Sequence, residues 1–165
     1  MSMDVETRME LIKREPTEEI ITEEELREIL QTNPHPKHYI GFEISGLLHL
    51  GTLFLSGYKI NDLIEAGVDC TVYLADWHSF INNKLGGVWE NILKASKYFE
   101  EGFRFFCPRA KIVLGSELYH NNDEYWKDVI RFSKHITLTR NTRCLTIMGR
   151  SQGEKLDFAQ YMYPP

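Results

Sequence analysis

His49 lies in a glycine-containing segment with the residue types needed to bind a phosphate group. Gly46 and Gly51 lie on either side of it, and glycine allows the backbone to approach a ligand closely. A helix that begins near His49 would offer unpaired backbone N–H groups and a dipole that favours a bound anion. The histidine could then donate a hydrogen bond to a phosphate oxygen whose charge grows during a reaction. The alternative is that His49 only caps the helix and the glycines only form a turn.

The chain around this segment predicts an open sheet of parallel strands. Apolar runs alternate with stretches in which apolar residues recur every three or four positions. The predicted strands are 38–44, 70–75 and 111–115, and the predicted helices are 4–14, 22–31, about 49–66, a segment from Val88 to Phe106, and a segment carrying Tyr125, Val129, Phe132 and Ile136. This alternation is typical of an α/β fold with right-handed crossovers. Because ligands bind such sheets beyond the carboxyl ends of the strands, the segment after residue 44 is the candidate site.

The two helices that precede the first strand have clear boundaries in the sequence. Thr22 and Glu25 have the spacing of a capping box at the start of the second helix. Pro34 and Pro36 end that helix, because proline cannot continue it and also restricts the residue before it.

The composition favours a reducing compartment and one compact unit. The chain has 165 residues, a net charge of −5 and 42% apolar residues, enough to bury a core. Its three cysteines are Cys70, Cys107 and Cys144, and this odd, scattered set argues against a disulfide framework and a zinc site. The polar amino terminus carries no signal-peptide pattern, and no apolar run is long enough to span a membrane. We therefore expect a cytoplasmic protein without a membrane partner.

Several segments together resemble the archaeal and eukaryotic tyrosyl-tRNA synthetases in order and spacing. These segments are residues 39–46, 49–52, 74–78, 82–87, 116–117, 146–150, 157–159 and 163–164. The resemblance covers nearly the whole chain, and the joint pattern is far more specific than any one segment. It implies an α/β fold with a Rossmann-type open parallel sheet, in which residues 1–37 form an N-terminal helical extension and residues 38–165 form the nucleotide-binding catalytic domain.

The resemblance also implies a reaction, its substrates and the residues that bind them. A class I synthetase of this type activates L-tyrosine with ATP and Mg²⁺, esterifies tRNA(Tyr) and works as a homodimer. The implied ATP-binding residues are Ser45, Gly46, His49, Gly51 and Thr52, of which His49 and Thr52 are catalytic; Thr52 stands where the His-x-Gly-His motif has its second histidine. The implied tyrosine-binding residues are Tyr39, Gly41, Glu43, Ala75, His78 and Tyr163. For His78 a structural role is an equal alternative, and Leu118 and Tyr119, on a wall that varies among relatives, receive no role.

Parts of the family pattern have no counterpart in the chain. In the family, a glutamine and an aspartate of the tyrosine site follow the position of Tyr163, and a Lys-Met-Ser-Lys-Ser-type loop and an anticodon-binding domain come later. We therefore expect a catalytic domain that is truncated at its C-terminal end. The alternatives are a non-catalytic module that keeps the fold and weak nucleotide binding, another nucleotidyl transferase, or the related tryptophanyl enzyme. Tyr39 and residues 74–78 favour tyrosine over the last two.

Overall fold

A computed structural model, which describes residues 3–147 and 155–162, contains the predicted parallel sheet. Its strands are β1 (Lys37–Glu43), β2 (Asp69–Ala75) and β3 (Lys111–Leu114), and they lie in the order β1-β2-β3. Both neighbouring pairs are parallel. Each strand begins or ends within one residue of its predicted bounds, so the predicted fold class is confirmed.

Helices connect the strands on one side of the sheet and continue the chain beyond it. The helices are α1 (Val5–Lys13), α2 (Glu23–Thr32), α3 (Leu50–Glu65), α4 (Asp76–Ile81), α5 (Trp89–Phe106), α6 (Gly115–Tyr119), α7 (Asp123–Ser133), α8 (Leu138–Ile147) and α9 (Phe158–Met162), with a short 3-10 turn at Lys84–Gly87. Helix α3 links β1 to β2, and α4 and α5 link β2 to β3. One predicted boundary is wrong: α7 ends at Ser133, so Ile136 lies beyond the helix whose apolar face it was predicted to extend.

The two faces of the sheet have different surroundings. Even-numbered residues of β2, such as Val72 and Leu74, are fully buried in a core that also contains Ile60 of α3 and Phe103 of α5. Successive side chains of a strand point to opposite faces, so odd-numbered residues share the other face. The register aligns Tyr39 with residue 71, 41 with 73 and 43 with 75. This second face carries the candidate site.

Arg8 connects the N-terminal helices to the end of α3 through hydrogen bonds. Its guanidinium donates hydrogen bonds to three backbone carbonyls, those of Ala66 (2.6 Å), Leu30 (2.8 Å) and Pro34 (3.0 Å). The side chain is only 6% exposed, and these acceptors are backbone carbonyls rather than carboxylates. Carbonyls at the ends of helices lack partners within the helix, and a cation there also matches the helix dipole. Arg8 thereby satisfies groups from α2, from the segment after α2 and from the end of α3.

Candidate functional site

A cleft of about 1130 Å³ lies on the odd-numbered face of the sheet. Five of the six residues predicted to bind tyrosine line it, and they are Tyr39, Gly41, Glu43, Ala75 and His78. The sixth, Tyr163, lies outside the described residues, as do the motif residues Met148, Gly149, Arg150 and Pro164. Tyr39 is 76% exposed and presents its phenol ring to the cleft rather than to the apolar core. Tyr39 is therefore exposed at the cleft and does not pack within the core.

Glu43 is the centre of a polar network at the carboxyl end of β1. Its Oε1 atom accepts a hydrogen bond from Asn82 Nδ2 at 3.0 Å and lies 3.4 Å from His78 Nε2. Asn82 Nδ2 and His78 Nε2 are themselves 2.8 Å apart. The other carboxylate oxygen, Oε2, lies 3.2 Å from Lys84 Nζ. His78 thus contacts the predicted site through Glu43, and Asn82 and Lys84 join the site although no role was predicted for them.

The segment after β1 that is predicted to bind ATP places His49 at the start of a helix, with its side chain exposed. His49 occupies the N-cap position of α3, is exposed, and forms no side-chain hydrogen bond to the first turn. Helix α3 begins at Leu50, as the sequence predicted to within two residues. His49 thus occupies the cap position, as the alternative holds, but its imidazole forms no capping hydrogen bond. The first backbone N–H groups of α3 remain available to an anion.

The glycines of this segment border open space. A Cβ atom built at Gly46 or at Gly51 meets no atom of the described chain within 4 Å. Neither glycine is thus required by close packing within the described chain. Ser45 is exposed and its N–H donates to the Glu43 carbonyl at 3.1 Å, while Thr52 is half-buried in the first turn of α3. The predicted ATP-binding residues thus lie within one segment, residues 45–52, that follows the strand carrying Glu43.

Aromatic rings form one wall of the cleft. The hydroxyl groups of Tyr73 on β2 and Tyr119 at the end of α6 lie 2.5 Å apart, and the Tyr119 ring stacks on Tyr125 with a centroid distance of 4.4 Å. Gly41 is the register partner of Tyr73, and a Cβ atom there would be in ordinary van der Waals contact with Tyr73 Cδ1, at 3.6 Å. Tyr119 received no role from the sequence, and the structure places it in the cleft wall. No pattern in the sequence indicates that residues 73 and 119 are in contact.

Asp76 joins the carboxyl ends of β2 and β3 beneath this wall. Its carboxylate is completely buried and accepts hydrogen bonds from the Ser116 amide (3.0 Å) and hydroxyl (2.5 Å) and from the Trp77 amide (2.8 Å). Gly115 is required here, because a Cβ would lie 2.6 Å from the Tyr73 hydroxyl oxygen. Both segments belong to the resemblance, but sequence did not identify this contact between them.

Two further properties concern the described residues alone. Within residues 3–147 and 155–162, no group of three or more histidine, cysteine, aspartate or glutamate side chains is placed to hold a metal ion. No helix in the same part of the chain is both long and apolar enough to cross a membrane.

Comparison with known proteins places this architecture among the aminoacyl-tRNA synthetases. Residues 31–165 match the family described as tRNA synthetases class I (W and Y). The match covers most of the chain, so the chain belongs to this family. A parallel sheet with a histidine and glycine segment after its first strand agrees with that membership.

The relatives with high sequence identity to this chain are tyrosine–tRNA ligases. Tyrosine–tRNA ligases from Thermococcus gammatolerans and Thermococcus kodakarensis are 49% and 50% identical to it, over 98% of this chain and 45% of each ligase. The crystal structure of tyrosyl-tRNA synthetase from Pyrococcus horikoshii with L-tyrosine superposes with a TM-score of 0.81 at 44% identity, covering 98% of this chain and 46% of that one. The chain therefore spans about half the length of the proteins it matches.

Proposed function

We propose that the chain is the amino-terminal part of a tyrosine–tRNA ligase, which activates L-tyrosine with ATP and transfers it to tRNA(Tyr). The observation that carries this proposal is the cleft, which is lined by Tyr39 and Glu43 of β1 and by His78 of α4, at the strand end from which the His49 segment follows. The identity of about half of all positions to tyrosine–tRNA ligases supports it. The Pyrococcus horikoshii enzyme was crystallised in complex with L-tyrosine, which supports the same substrate here.

The cleft has the polarity that an amino acid with a phenol ring requires. Tyr39 and Glu43 are four positions apart on β1, which is about 13 Å along an extended strand. We propose that the Tyr39 hydroxyl hydrogen-bonds the phenol of the substrate, and that Glu43 lies at its charged end. Gly41 and Ala75 lie in the cleft lining and leave room for the ring because their side chains are absent or small. Tyr163 remains part of the proposed site as a ligand of the substrate's amino group.

The ATP substrate, with its Mg²⁺, is proposed to lie against the start of α3. Gly51 and Thr52 offer backbone N–H groups in the first turn, Ser45 and Thr52 offer hydroxyl groups, and Gly46 and Gly51 border open space. An anion at a helix start is also favoured by the helix dipole. A carboxylate oxygen of tyrosine attacks the α-phosphorus and forms a new O–P bond. The bond from that phosphorus to the oxygen bridging the β-phosphate breaks, and pyrophosphate leaves with its electron pair. His49 is proposed to donate a hydrogen bond to the phosphate oxygens as their charge grows.

The proposal includes the association and location that the resemblance implies, namely a homodimer in the cytoplasm. Helix α7 and the residues after it expose large apolar side chains, among them Trp126, Ile130 and Leu138. Exposed apolar surface of this kind supports packing against another protein surface, and a second copy is the proposed occupant. The division into an extension of residues 1–37 and a catalytic domain of residues 38–165 also remains a proposal, which the Arg8 contacts support.

The test is ATP–pyrophosphate exchange by the longer protein that carries this chain, with L-tyrosine, L-tryptophan and L-phenylalanine as alternative substrates. We expect exchange that depends on tyrosine. Exchange with tryptophan alone would identify the sister enzyme, and nucleotide binding without any exchange would identify a non-catalytic module. The 165 residues by themselves are expected not to charge tRNA, because small misplacements of catalytic groups already cost about 100-fold in rate.

A further inference from the structure

Lys84 forms an ion pair with the carboxylate that lies at the end of the cleft. Its Nζ atom lies 3.2 Å from Glu43 Oε2, while Asn82 and His78 occupy the side of Oε1. The two side chains of the pair are 37% and 29% exposed, so a small ligand can reach both. The pair therefore presents one positive and one negative group next to each other at an accessible position.

The backbone that carries Lys84 adopts an uncommon conformation. Asn83 and Leu85, on either side of Lys84, have φ angles of 54° and 51°, and Gly86 and Gly87 follow at 77° and 66°. A positive φ is costly for a residue such as leucine, and strain of this kind concentrates at functional sites. The turn is also tightly closed, because a Cβ at Gly87 would lie 2.9 Å from Asn83 Oδ1. The strained turn therefore holds the Lys84 backbone in place, and with it the point from which the side chain extends.

The same turn borders the proposed nucleotide segment. Leu85 shares a second cavity, of about 430 Å³, with Gly46 and Leu47. Lys84 itself contacts Glu43 at the charged end of the proposed tyrosine cleft, and the next residue borders the proposed ATP segment. This is where the carboxylate of an amino acid must lie if it is to attack the α-phosphate.

We propose that Lys84 binds the α-carboxylate of the amino-acid substrate, and that the substrate enters by exchanging partners with the Lys84–Glu43 pair. The inference rests on the proposed function and adds a residue that selects for α-amino acids. The substrate is a zwitterion, so its ammonium group replaces Lys84 at Glu43 and its carboxylate replaces Glu43 at Lys84. Each charge on the protein keeps an opposite partner throughout the exchange.

A ligand without a carboxylate cannot complete this exchange. Tyramine, which has the same phenol ring and ammonium group, can displace Lys84 from Glu43 but leaves the lysine without a new partner. Removing one partner of a charged pair costs more than the net contribution of the pair. The wild-type protein is therefore expected to disfavour tyramine relative to L-tyrosine because Lys84 is present.

The experiment compares the two ligands in the full-length ligase that carries this chain. The KM for L-tyrosine is measured by pyrophosphate exchange, and tyramine is measured as a competitive inhibitor. In Lys84→Met, we expect the KM for tyrosine to rise about 10- to 100-fold, the range of a hydrogen bond between charged groups. The inhibition constant of tyramine is expected to stay the same or to fall, because Glu43 no longer has to release a lysine. Lys84→Arg keeps the cation and should recover most of the tyrosine affinity.

The matched control is Lys97→Met, which removes an exposed lysine of α5 and should change neither constant. A parallel loss of tyrosine and tyramine binding in a Lys84→Met protein with wild-type thermal unfolding would overturn the inference, because Lys84 would then only orient Glu43. Unchanged constants for both ligands would overturn it as well. If Lys84→Met does not fold, Lys84→Gln is measured in its place against the same outcomes. Absence of tyrosine-dependent exchange in the wild-type ligase would instead contradict the proposed function.

Discussion

The hydroxyl group of Ser79 lies 2.7 Å from the backbone nitrogen of Ile44, the first residue after β1. The hydroxyl oxygen accepts a hydrogen bond from the Ile44 N–H, and the hydroxyl group donates one to the carbonyl of Ala75, also at 2.7 Å. Both Ser79 and Ile44 are completely buried. One side chain of α4 therefore connects the carboxyl ends of β1 and β2, where the proposed substrates meet.

We expect Ser79→Ala to destabilise the chain by about 1–3 kcal/mol, because it leaves the Ile44 N–H buried without an acceptor. Chemical denaturation of the 165-residue chain measures the free energy of unfolding. Ser96→Ala is the matched control, since Ser96 is equally buried but only donates to the Ile92 carbonyl within α5. Equal losses in the two variants would show that the Ser79 bridge has no special effect.

His49→Ala should lower the rate of tyrosine-dependent pyrophosphate exchange in the full-length ligase by about 10²–10³-fold, with little change in the KM for tyrosine. The reason is the position of His49 at a helix start, where its imidazole is not used as a cap. His135→Ala, which removes an exposed histidine after α7, serves as the control. A large rise in the KM for tyrosine at an unchanged rate constant would place His49 in the tyrosine site instead.

Tyr39→Phe should narrow the preference of the full-length ligase for tyrosine over phenylalanine. A site that hydrogen-bonds a substrate hydroxyl rejects the analogue without it by up to roughly 10⁴–10⁵-fold when all partners are present, so the loss of one partner reduces this ratio. The ratio of kcat/KM for the two amino acids is the measurement. Tyr58→Phe removes the hydroxyl of an exposed tyrosine of α3 and is expected to leave the ratio unchanged. If Tyr39→Phe also leaves it unchanged, the Tyr39 hydroxyl takes no part in recognition.

Arg8→Met should destabilise the chain by about 3 kcal/mol, because three backbone carbonyls lose their charged donor in a buried position. Arg14→Met is the control: Arg14 pairs with Asp62 at 3.1 Å, but its side chain is 59% exposed. Exposed pairs contribute less than about 1 kcal/mol. Denaturant titration of both variants gives the comparison, and a similar small loss in each would show that the Arg8 contacts contribute little to stability.

The three thiols should react at different rates with a thiol reagent at pH 8. Burial raises the pKa of Cys70 to about 11, with a further contribution from the neighbouring Cys107, and burial raises the pKa of Cys107 to about 11 as well. The thiolate is the reactive form, so about one-thousandth of each is reactive at this pH. Cys144 is only half-buried. We expect one fast-reacting thiol per folded chain and three in denaturant. Cys144→Ser should remove the fast-reacting thiol. Rapid labelling of Cys70 in the folded chain would contradict this prediction.

The strands and long helices could be predicted because their signals are local. The apolar runs at β1, β2 and β3 and the periodicity of α5 are properties of neighbouring residues, and each predicts its element to within a residue or two. Short helices such as α4 and α6 were not predicted, since five or six residues span fewer than two turns and show no full period.

The site could be predicted only as far as the resemblance assigned roles. Tyr39, Glu43 and His78 were expected together, and the cleft contains all three. Lys84 and Ser79 could not be predicted, because each contacts β1 or its end from about 40 positions later in the chain. Such contacts depend on the strand register and on the turn geometry, which no local pattern in this sequence determines.

The acceptors of Arg8 are backbone carbonyls, which neither titrate nor carry a net charge. Protonation of a carboxylate weakens an ion pair in general, and salt screens exposed pairs such as Arg14–Asp62 over a Debye length of about 8 Å at physiological ionic strength. Neither change removes the acceptors of Arg8. In concentrated salt or mild acid, the attachment of the N-terminal helices should therefore outlast the surface ion pairs that accompany it.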